Sequence, residues 1–229
     1  MTKKILNQNA KYDQEFVNTV EPNFIFDNKP INRLKIFENN INNIEIDKKE
    51  RITKLKKKIN AIENCNLKIN SKNLVIGDGN INSPIMLIGE APGKNEDLEC
   101  LTFCGDVGTL LNKMLLAIDI LKKNIYTTYS VNFRPPEDRK PTSKEIRRYS
   151  IFLKEHISIV DPKLLILMGS SAMEAVTGLK SQISNERGKW KDIIIGNKTI
   201  PVMVTYSPSY LLRYPENKKY SWDDLKKIK

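Results

Sequence analysis

Short apolar runs alternate with amphipathic stretches along most of the chain downstream of residue 44. Runs of this length with turn residues at their ends are typical of buried strands. Four of them predict strands: Ile85–Ile88, Ile125–Val131, Leu164–Met168 and Ile200–Val204. Because helical segments lie between these runs, we expect an α/β fold with a parallel sheet that is covered by helices on both faces.

The segments between the strands have apolar residues at helical spacing. One helix follows Asp106, a good N-cap residue, and has a single apolar stripe made of Leu110, Leu111, Met114, Leu115 and Ile118. The next helix opens with the capping box from Thr142 to Glu145 and ends at Asp161-Pro162. A third helix follows Gly169 and stops at Gly178.

The region before residue 64 differs in composition from the rest of the chain. Residues 1–40 are polar and rich in Asn and Lys, and they predict a loosely ordered arm with one short helix near Asp13–Val20. A helix over Ile44–Ile62 follows, and its apolar face contains Ile52, Leu55, Ile59 and Ile62. Its other face is rich in lysine, which fits either a solvated surface or a DNA contact. We expect the arm and the basic helix at 1–63 and a separate domain at 64–229.

Charge and cysteine usage narrow the class of protein. The chain has 229 residues and a net charge of +11, from 38 Lys and Arg against 27 Asp and Glu. This excess fits a nucleic-acid partner, and an AT-rich genome, which encodes many Lys and Asn residues, gives the same composition. Cys65, Cys100 and Cys104 contain no CxxC pair, so neither a disulfide framework nor a zinc site is indicated. Free thiols fit a reducing cytosol, and no apolar run is long enough to span a membrane, so we expect a cytoplasmic protein. We also expect it to be a monomer.

A loop of glycine and proline is the first candidate for chemistry. Gly89–Gly93, with the sequence GEAPG, follows the first predicted strand directly, and Glu96 and Asp97 lie just beyond it. Open α/β sheets bind ligands at the carboxyl ends of their strands, and an ordinary β-to-α turn fits the same residues. His156 is the only histidine and lies on an apolar helix face, so we expect it in the core and no Ser-His-Asp site.

A set of motifs in a fixed order resembles the family-four uracil-DNA glycosylases. These motifs are Gly89–Gly93, Glu96-Asp97, Phe103, Gly105, Arg134-Pro135-Pro136, Arg139, Pro141-Thr142, Arg187–Trp190, Ser207–Arg213 and Trp222–Leu225. The resemblance extends over residues 65–228. It implies a three-layer α/β/α sandwich with a four-stranded parallel sheet. It also implies a DNA-repair activity, the hydrolysis of the N-glycosidic bond of uracil in single- or double-stranded DNA.

The resemblance implies roles for the residues of the glycine-rich loop. Such an enzyme extrudes the base, stacks it on an aromatic ring, positions a water and stabilises the leaving uracilate. Phe103 matches the stacking ring, although a Phe packed in the core is the alternative. Glu90, with the backbone of Gly89 and Ala91, matches the wall that places the water. Glu96-Asp97 either activates the water or holds the loop.

Contacts to DNA are implied by two further motifs. Tyr210 and Leu211 match the part that enters the minor groove, where they would act as wedges, and Arg213 would bind a phosphate. Arg134 and Arg139 are also phosphate candidates, and the alternative role of both is to brace the proline turn between them.

Two positions in the pocket depart from the family. Tyr129 stands where the family has the asparagine that binds uracil, and Ser207 where it has a catalytic histidine. A phenol cannot pair with the base edge as an amide does, and Asn132 cannot replace it because its odd offset points to the other face of the strand. Ser207 is shorter than the histidine and neutral, so we expect it to be a weaker hydrogen-bond donor to the base. We therefore expect reduced or altered activity; the alternatives are an inactive DNA- or uracil-binding descendant and an enzyme for another damaged base.

The positions that bind an iron–sulfur cluster in the family also differ in this chain. Members of the family usually bind a 4Fe–4S cluster through four cysteines, and the corresponding positions here are Ile62, Cys65, Phe133 and Tyr149. One thiolate cannot hold such a cluster. We expect no iron and no other cofactor.

Overall fold

A computed structural model describes the backbone of residues 33–229 and the side chains from residue 44 onward. Its α-helices are α1 (Arg33–Asn60), α2 (Asn66–Asn70), α3 (Lys94–Glu99), α4 (Gly105–Leu116), α5 (Ser143–Val160), α6 (Ser170–Thr177), α7 (Ile183–Glu186), α8 (Pro208–Arg213) and α9 (Lys218–Lys226). Its strands are β1 (Asp78–Gly79), β2 (Ile85–Gly89), β3 (Tyr126–Tyr129), β4 (Leu164–Met168), β5 (Trp190–Ile195) and β6 (Lys198–Thr205). The helix expected near Asp13–Val20 lies outside the described residues. No helix in the described part is long and apolar enough to cross a membrane.

The strands form one mixed sheet in the order β1-β3-β2-β4-β6-β5. Its centre consists of the four parallel strands that the sequence predicts, since β2 pairs with β3 and β4, and β4 pairs with β6. The edge strands β1 and β5 are antiparallel to their neighbours. The α/β prediction is confirmed, and one antiparallel strand at each edge adds to the expected four.

Apolar residues cover both faces of the sheet, as parallel strands require. On one face, Met86 and Ile88 belong to a core that includes Leu153 of α5 and residues of α6. On the other face, Leu87 packs in a core with Leu111 of α4. Alternate residues of β2 therefore contact opposite helix layers, which produces the three-layer α/β/α sandwich.

Strand β5 is not among the strands that the apolar runs predict. It is an edge strand, and its residues alternate between exposed and partly buried positions. It forms a hairpin with β6, in which Ile195 pairs with Lys198 across the loop Gly196-Asn197. Gly196 has a φ of +60°, which glycine adopts without strain. A two-residue Gly-Asn loop is typical of a β-hairpin, so the sequence does contain a signal for β5.

The basic helix is a packed part of the domain. Residues Asn42–Lys229 form one compact unit, which includes the basic helix from Asn42 onward. Leu55 and Ile59 of α1 are buried and share a core with Phe133. Lys48 Nζ donates a hydrogen bond of 2.7 Å to the backbone oxygen of Val160. A cation at that place is favourable, because the carbonyl end of α5 is partly negative.

Helix α5 begins and ends where the sequence predicts. The Thr142 hydroxyl accepts a hydrogen bond of 3.3 Å from the Glu145 backbone N–H, and the Thr142 N–H donates one of 2.7 Å to the Glu145 carboxylate. This reciprocal pair is the expected capping box. At the other end, Asp161 has a φ of +57° and leads the chain out of the helix.

His156 has the core role expected for it. Its Nε2 lies 2.9 Å from the hydroxyl oxygen of Tyr126 on β3, and the side chain is buried. Burial lowers the pKa of His156 to about 3. The imidazole is therefore neutral at physiological pH and links α5 to the sheet.

Replacing His156 with Gln is expected to flatten the dependence of stability on pH. In the unfolded chain a histidine takes up a proton near pH 6.5, whereas in the folded protein it does so only near pH 3. Between these values the unfolded state binds more protons, so the free energy of unfolding rises with pH by up to about 1.4 kcal/mol per pH unit. Urea unfolding at several pH values within this window measures the slope. Equal slopes for wild type and His156→Gln would contradict the assignment.

Candidate active site

A cavity of about 470 Å³ opens at the carboxyl ends of β2, β3 and β6. Parallel α/β sheets bind their ligands at this edge. Eight of the predicted site residues line it: Gly89, Glu90, Ala91, Phe103, Tyr129, Arg139, Ser207 and Arg213. Arg134, Tyr210 and Leu211 are not part of its lining.

Glu90 is held between the start of α6 and the end of β6. Its Oε1 accepts hydrogen bonds of 3.3 Å from the Ser171 backbone N–H and from the hydroxyls of Ser170 and Ser171. Its Oε2 accepts one of 3.2 Å from the Ser207 hydroxyl. Gly169 allows the close approach, because its φ is +104° and a Cβ there would overlap the Glu90 side chain.

Ser207 contacts both the carboxylate and a helix start. It is the N-cap of α8, where its oxygen accepts a hydrogen bond of 3.3 Å from the Tyr210 backbone N–H, and it lies 3.2 Å from the Ser209 hydroxyl. A serine hydroxyl has a single hydrogen, and here Glu90 accepts it. Ser207 must therefore turn away from Glu90 before it can donate to any other acceptor in the cavity.

Phe103 and Tyr129 form the buried floor of the cavity. Their ring centroids are 4.9 Å apart at an angle of 36°, and the Phe103 backbone N–H donates a hydrogen bond of 2.9 Å to the Tyr129 hydroxyl oxygen. Both rings pack on Gly89, where a Cβ would lie 2.7 Å from Phe103 and 2.8 Å from Tyr129. Burial raises the pKa of Tyr129, so its hydroxyl stays neutral. Tyr129 thus occupies the space beside the ring that was predicted to stack on the base.

Asn132 does not face the cavity. Its side-chain amide is buried and donates a hydrogen bond of 3.0 Å to the backbone oxygen of Val75. This bond ties the segment before β1 to the end of β3. Asn132 therefore does not supply the missing amide, as its offset from Tyr129 predicts.

Glu96 and Asp97 hold loops together. The Glu96 carboxylate accepts hydrogen bonds from the backbone N–H groups of Gly93 at 3.0 Å and Cys104 at 2.9 Å. The Asp97 carboxylate accepts one of 2.6 Å from the Ser71 hydroxyl and others from backbone N–H groups. Both residues are buried. Of the two roles left open, the geometry favours fixing the loop over activating a water.

Arg134 and Arg139 form ion pairs on the loop after β3. Arg134 lies 2.7 Å from Asp138, and Arg139 lies 2.7 Å from Glu145. The hydrogen bonds from Arg139 lower the pKa of Glu145 to about 2. Both arginines brace the loop, and a phosphate would share them with these carboxylates.

The segment Ser207–Arg213 is helical and includes α8, with Pro208 at its first position. Leu211 is 1% exposed, so the prediction that it acts as a wedge is wrong. Leu212 is 39% exposed and lines the cavity. Successive residues of a helix point about 100° apart, which buries one leucine and exposes the next. A serine followed by proline is a helix-start signal and could have indicated this.

Tyr210 is not a free wedge either. Its ring stacks between two other tyrosine rings, at 4.9 Å and 4.8 Å between centroids. The contacts of Glu90 with Gly169, Ser170 and Ser171 are also not among the predicted site contacts. The sequence contains a signal for them, because they follow β4 directly and so lie at the same edge of the sheet as Glu90.

The positions of the family's cluster cysteines form part of one apolar core. Cys65, Phe133 and Tyr149 are buried there, with Ile62 packed against them. Cys65 Sγ lies 3.3 Å from the Tyr149 hydroxyl, and the Phe133 and Tyr149 rings meet edge to face. A 4Fe–4S cluster needs four ligands, so one thiol among aromatic rings does not fit it. Among the described residues, no group of three or more His, Cys, Asp and Glu could hold a metal ion.

Comparison with known proteins gives concordant matches. Residues 76–226 match the family model described as the uracil DNA glycosylase superfamily. The chain is 36% identical over 168 residues to the type-4 uracil-DNA glycosylase of Thermotoga maritima, which covers 72% of this chain and 86% of that protein. It is 34% identical over 188 residues to the protein of the same name from Sulfurisphaera tokodaii, and this alignment covers 79% of this chain and 84% of that protein. The chain is 30% identical over 183 residues to the type-4 uracil-DNA glycosylase of Archaeoglobus fulgidus. That alignment covers 78% of this chain and 92% of that protein.

Glu96→Ala is expected to destabilise the domain by about 1–3 kcal/mol, because it leaves two backbone N–H groups without their acceptor. Glu99→Ala is the matched control, since Glu99 is exposed on the same short helix. We expect that control to stay within about 0.5 kcal/mol of wild type. Chemical denaturation measures both. Equal stabilities of the two variants would show that the Glu96 carboxylate does not hold the loop.

Proposed function

Because this chain belongs to the uracil-DNA glycosylase superfamily, and within it to the family of the type-4 enzymes, we propose that it is a DNA-repair glycosylase. It hydrolyses the N-glycosidic bond of uracil in DNA, with reduced or altered activity. The observation that supports this most directly is the Glu90 carboxylate, which four hydrogen bonds fix at the rim of a cavity floored by Phe103.

In the proposed reaction, the cavity holds the base and Glu90 positions the attacking water. The uracil leaves the base stack and enters the cavity, because its glycosidic bond cannot be reached inside a duplex. Glu90 accepts a hydrogen bond from a water and directs the water oxygen at C1′ of the deoxyribose. As the C1′–O bond forms, the bond to N1 of uracil breaks, its electron pair remains on the uracilate, and the proton of the water passes to Glu90.

Two side chains explain why the activity is reduced. The Tyr129 hydroxyl already accepts a hydrogen bond from the Phe103 backbone, and a phenol offers no amide pairing to the base. The Ser207 hydroxyl donates to Glu90 and does not point at the base. Losing one donor to a developing negative charge typically costs about 10²–10³ in rate.

One observation favours a second function, that of a DNA- or uracil-binding protein without excision. The Tyr129 ring lies against the Phe103 ring at 4.9 Å between centroids, in the space beside the expected stacking surface. A protein that keeps the cavity but cannot seat the base productively would bind DNA and release it unchanged.

An excision assay distinguishes these two functions. The purified protein is incubated with single- and double-stranded oligonucleotides that contain uracil, and abasic sites are detected by alkaline cleavage. We expect slow cleavage by the wild type and none by Glu90→Ala, since the variant lacks the carboxylate that positions the water. Wild-type cleavage no greater than that of Glu90→Ala, with salt-sensitive DNA binding retained, would reject excision and favour the binding function.

Restoring the family's residues gives a separate prediction. Tyr129→Asn with Ser207→His is expected to raise the excision rate by about tenfold or more, because each change returns a donor to the base. Tyr129→Phe is the matched control, since it keeps the ring and removes only the hydroxyl. A double variant no faster than wild type would mean that the cavity geometry differs from the one proposed.

The proposal extends to the absence of an iron–sulfur cluster. The support is the donor set, since only Cys65 among the four corresponding positions has a thiol. Protein purified without oxygen is expected to be colourless and free of iron by elemental analysis, and Cys65→Ser is expected to leave its absorbance spectrum unchanged. Stoichiometric iron that Cys65→Ser removes would contradict this.

The substrate partner is DNA, and we propose that the protein acts on it as a monomer in the cytoplasm. The cysteines support this compartment, since Cys65, Cys100 and Cys104 are free thiols.

A further inference from the structure

The C-terminal part of the chain contains an aromatic ladder, which we define as the stacked rings of Tyr206, Tyr210 and Tyr214. The first two rings are 4.9 Å apart at 25°, and the second and third are 4.8 Å apart at 38°. Tyr210 lies within α8, whereas Tyr206 precedes the N-cap Ser207 and Tyr214 follows the last helical residue, so the stack joins both ends of this short helix. Half of the eight tyrosines of the chain lie between Tyr206 and Tyr220.

The outer end of the ladder is open to solvent. Tyr206 is 8% exposed, whereas Tyr214 is 48% exposed, and Tyr220 and Trp222 on the following α-helix, α9, are 40% and 42% exposed. Packing of the fold explains the inner ring but not the outer ones, because burying an aromatic ring is favourable and these remain uncovered. Exposed aromatic rings grouped on one surface indicate a binding partner.

Cations lie over the inner ring of the ladder and over Tyr220. The Arg187 guanidinium lies 5.7 Å from the Tyr206 ring centroid and 5.1 Å from that of Tyr220, and Lys219 Nζ lies 5.0 Å from Tyr220. From residue 206 to residue 229 the chain has six Lys and Arg against three Asp and Glu. Of those acidic residues, Asp224 is already paired with Arg187. The surface therefore combines aromatic faces with a positive field, which complements a polyanion whose bases are exposed.

The ladder begins at the candidate active site. A second cavity, of about 330 Å³, shares Glu90 and Ser207 with the first and has Tyr206 and Tyr210 in its wall. The inner rings are thus next to the carboxylate, while Tyr214 faces solvent. A nucleotide strand whose uracil lies in the first cavity would have its neighbouring bases within reach of the ladder.

We propose that the outer ring of the ladder, Tyr214, is a stacking site for unpaired DNA bases next to the target, and that it directs this protein to single-stranded DNA. The proposal rests on the proposed function for the position of the target base, although the stacking itself requires no excision. In a duplex, neighbouring bases cover each other's faces, so only an unpaired strand can offer a base face to Tyr214.

Binding of uracil-free DNA tests this independently of catalysis. Fluorescence anisotropy compares a short oligothymidylate with a duplex of the same length over a range of salt concentrations. The wild type is expected to bind the single strand more tightly. Tyr214→Ala is expected to weaken single-strand binding by about tenfold and duplex binding by less than about twofold, since stacking contributes only to the former. A wild type that binds both equally, or a variant that loses both equally, would overturn the proposal.

Matched variants exclude a folding defect. Tyr214→Phe keeps the aromatic face and is expected to bind as the wild type does. Trp190→Ala, which removes a ring of similar exposure (47%) outside the ladder, is expected to leave single-strand binding unchanged. The ligand gives a further control, because replacing the thymines by abasic residues keeps the phosphates and should weaken wild-type binding as Tyr214→Ala does.

The excision assay separates failure of this site from failure of the proposed function. Selective single-strand binding that Tyr214→Ala removes supports the ladder even if the wild type excises no uracil. Excision without any preference for single-strand binding rejects the ladder and leaves the glycosylase function in place.

Discussion

The pairing of β2 with a parallel strand on each side is the interaction on which the fold and the site depend. Met86, Leu87 and Ile88 are fully buried and pack against helices on both faces of the sheet, so a shift in register by one residue would move each side chain to the opposite helix layer and break its contacts. This fixes the point where the strand ends, at Gly89, and therefore the place where Glu90 leaves the sheet. Glu90 then finds its hydrogen-bond donors at the ends of β4 and β6, which the same sheet aligns beside it.

Different physical rules decided which parts of the fold could be predicted. The central strands β2 and β4 are buried on both faces and consist almost entirely of apolar residues, so their runs predict them clearly. The edge strand β5 has one open face and includes Lys191 and Asp192, which conceal its apolar residues. The turn Gly196-Asn197 marks the hairpin better than its strands do, because it depends on local backbone geometry rather than on burial.

The site was predictable in its composition but not in its contacts. Motif order places Glu90, Tyr129 and Ser207 at strand ends, and the structure brings all three to one cavity. The choice between Leu211 and Leu212 depends on the phase of a short helix. The hydrogen bond from Phe103 to Tyr129 joins residues 26 positions apart, and only the packing of a long loop determines it. That bond holds the phenol against the Phe103 ring, so Tyr129 is a structural part of the cavity floor.

The apolar core around Cys65 has a consequence for how the protein reaches its working form. Where a domain is closed by a metal centre, folding waits for assembly machinery, and oxidants that extract the metal also loosen the fold. Here the side chains of Phe133, Tyr149 and the buried face of α1 fill the corresponding region with an apolar core. Without the cluster, as we propose, the domain would fold independently of the supply of iron in the cell.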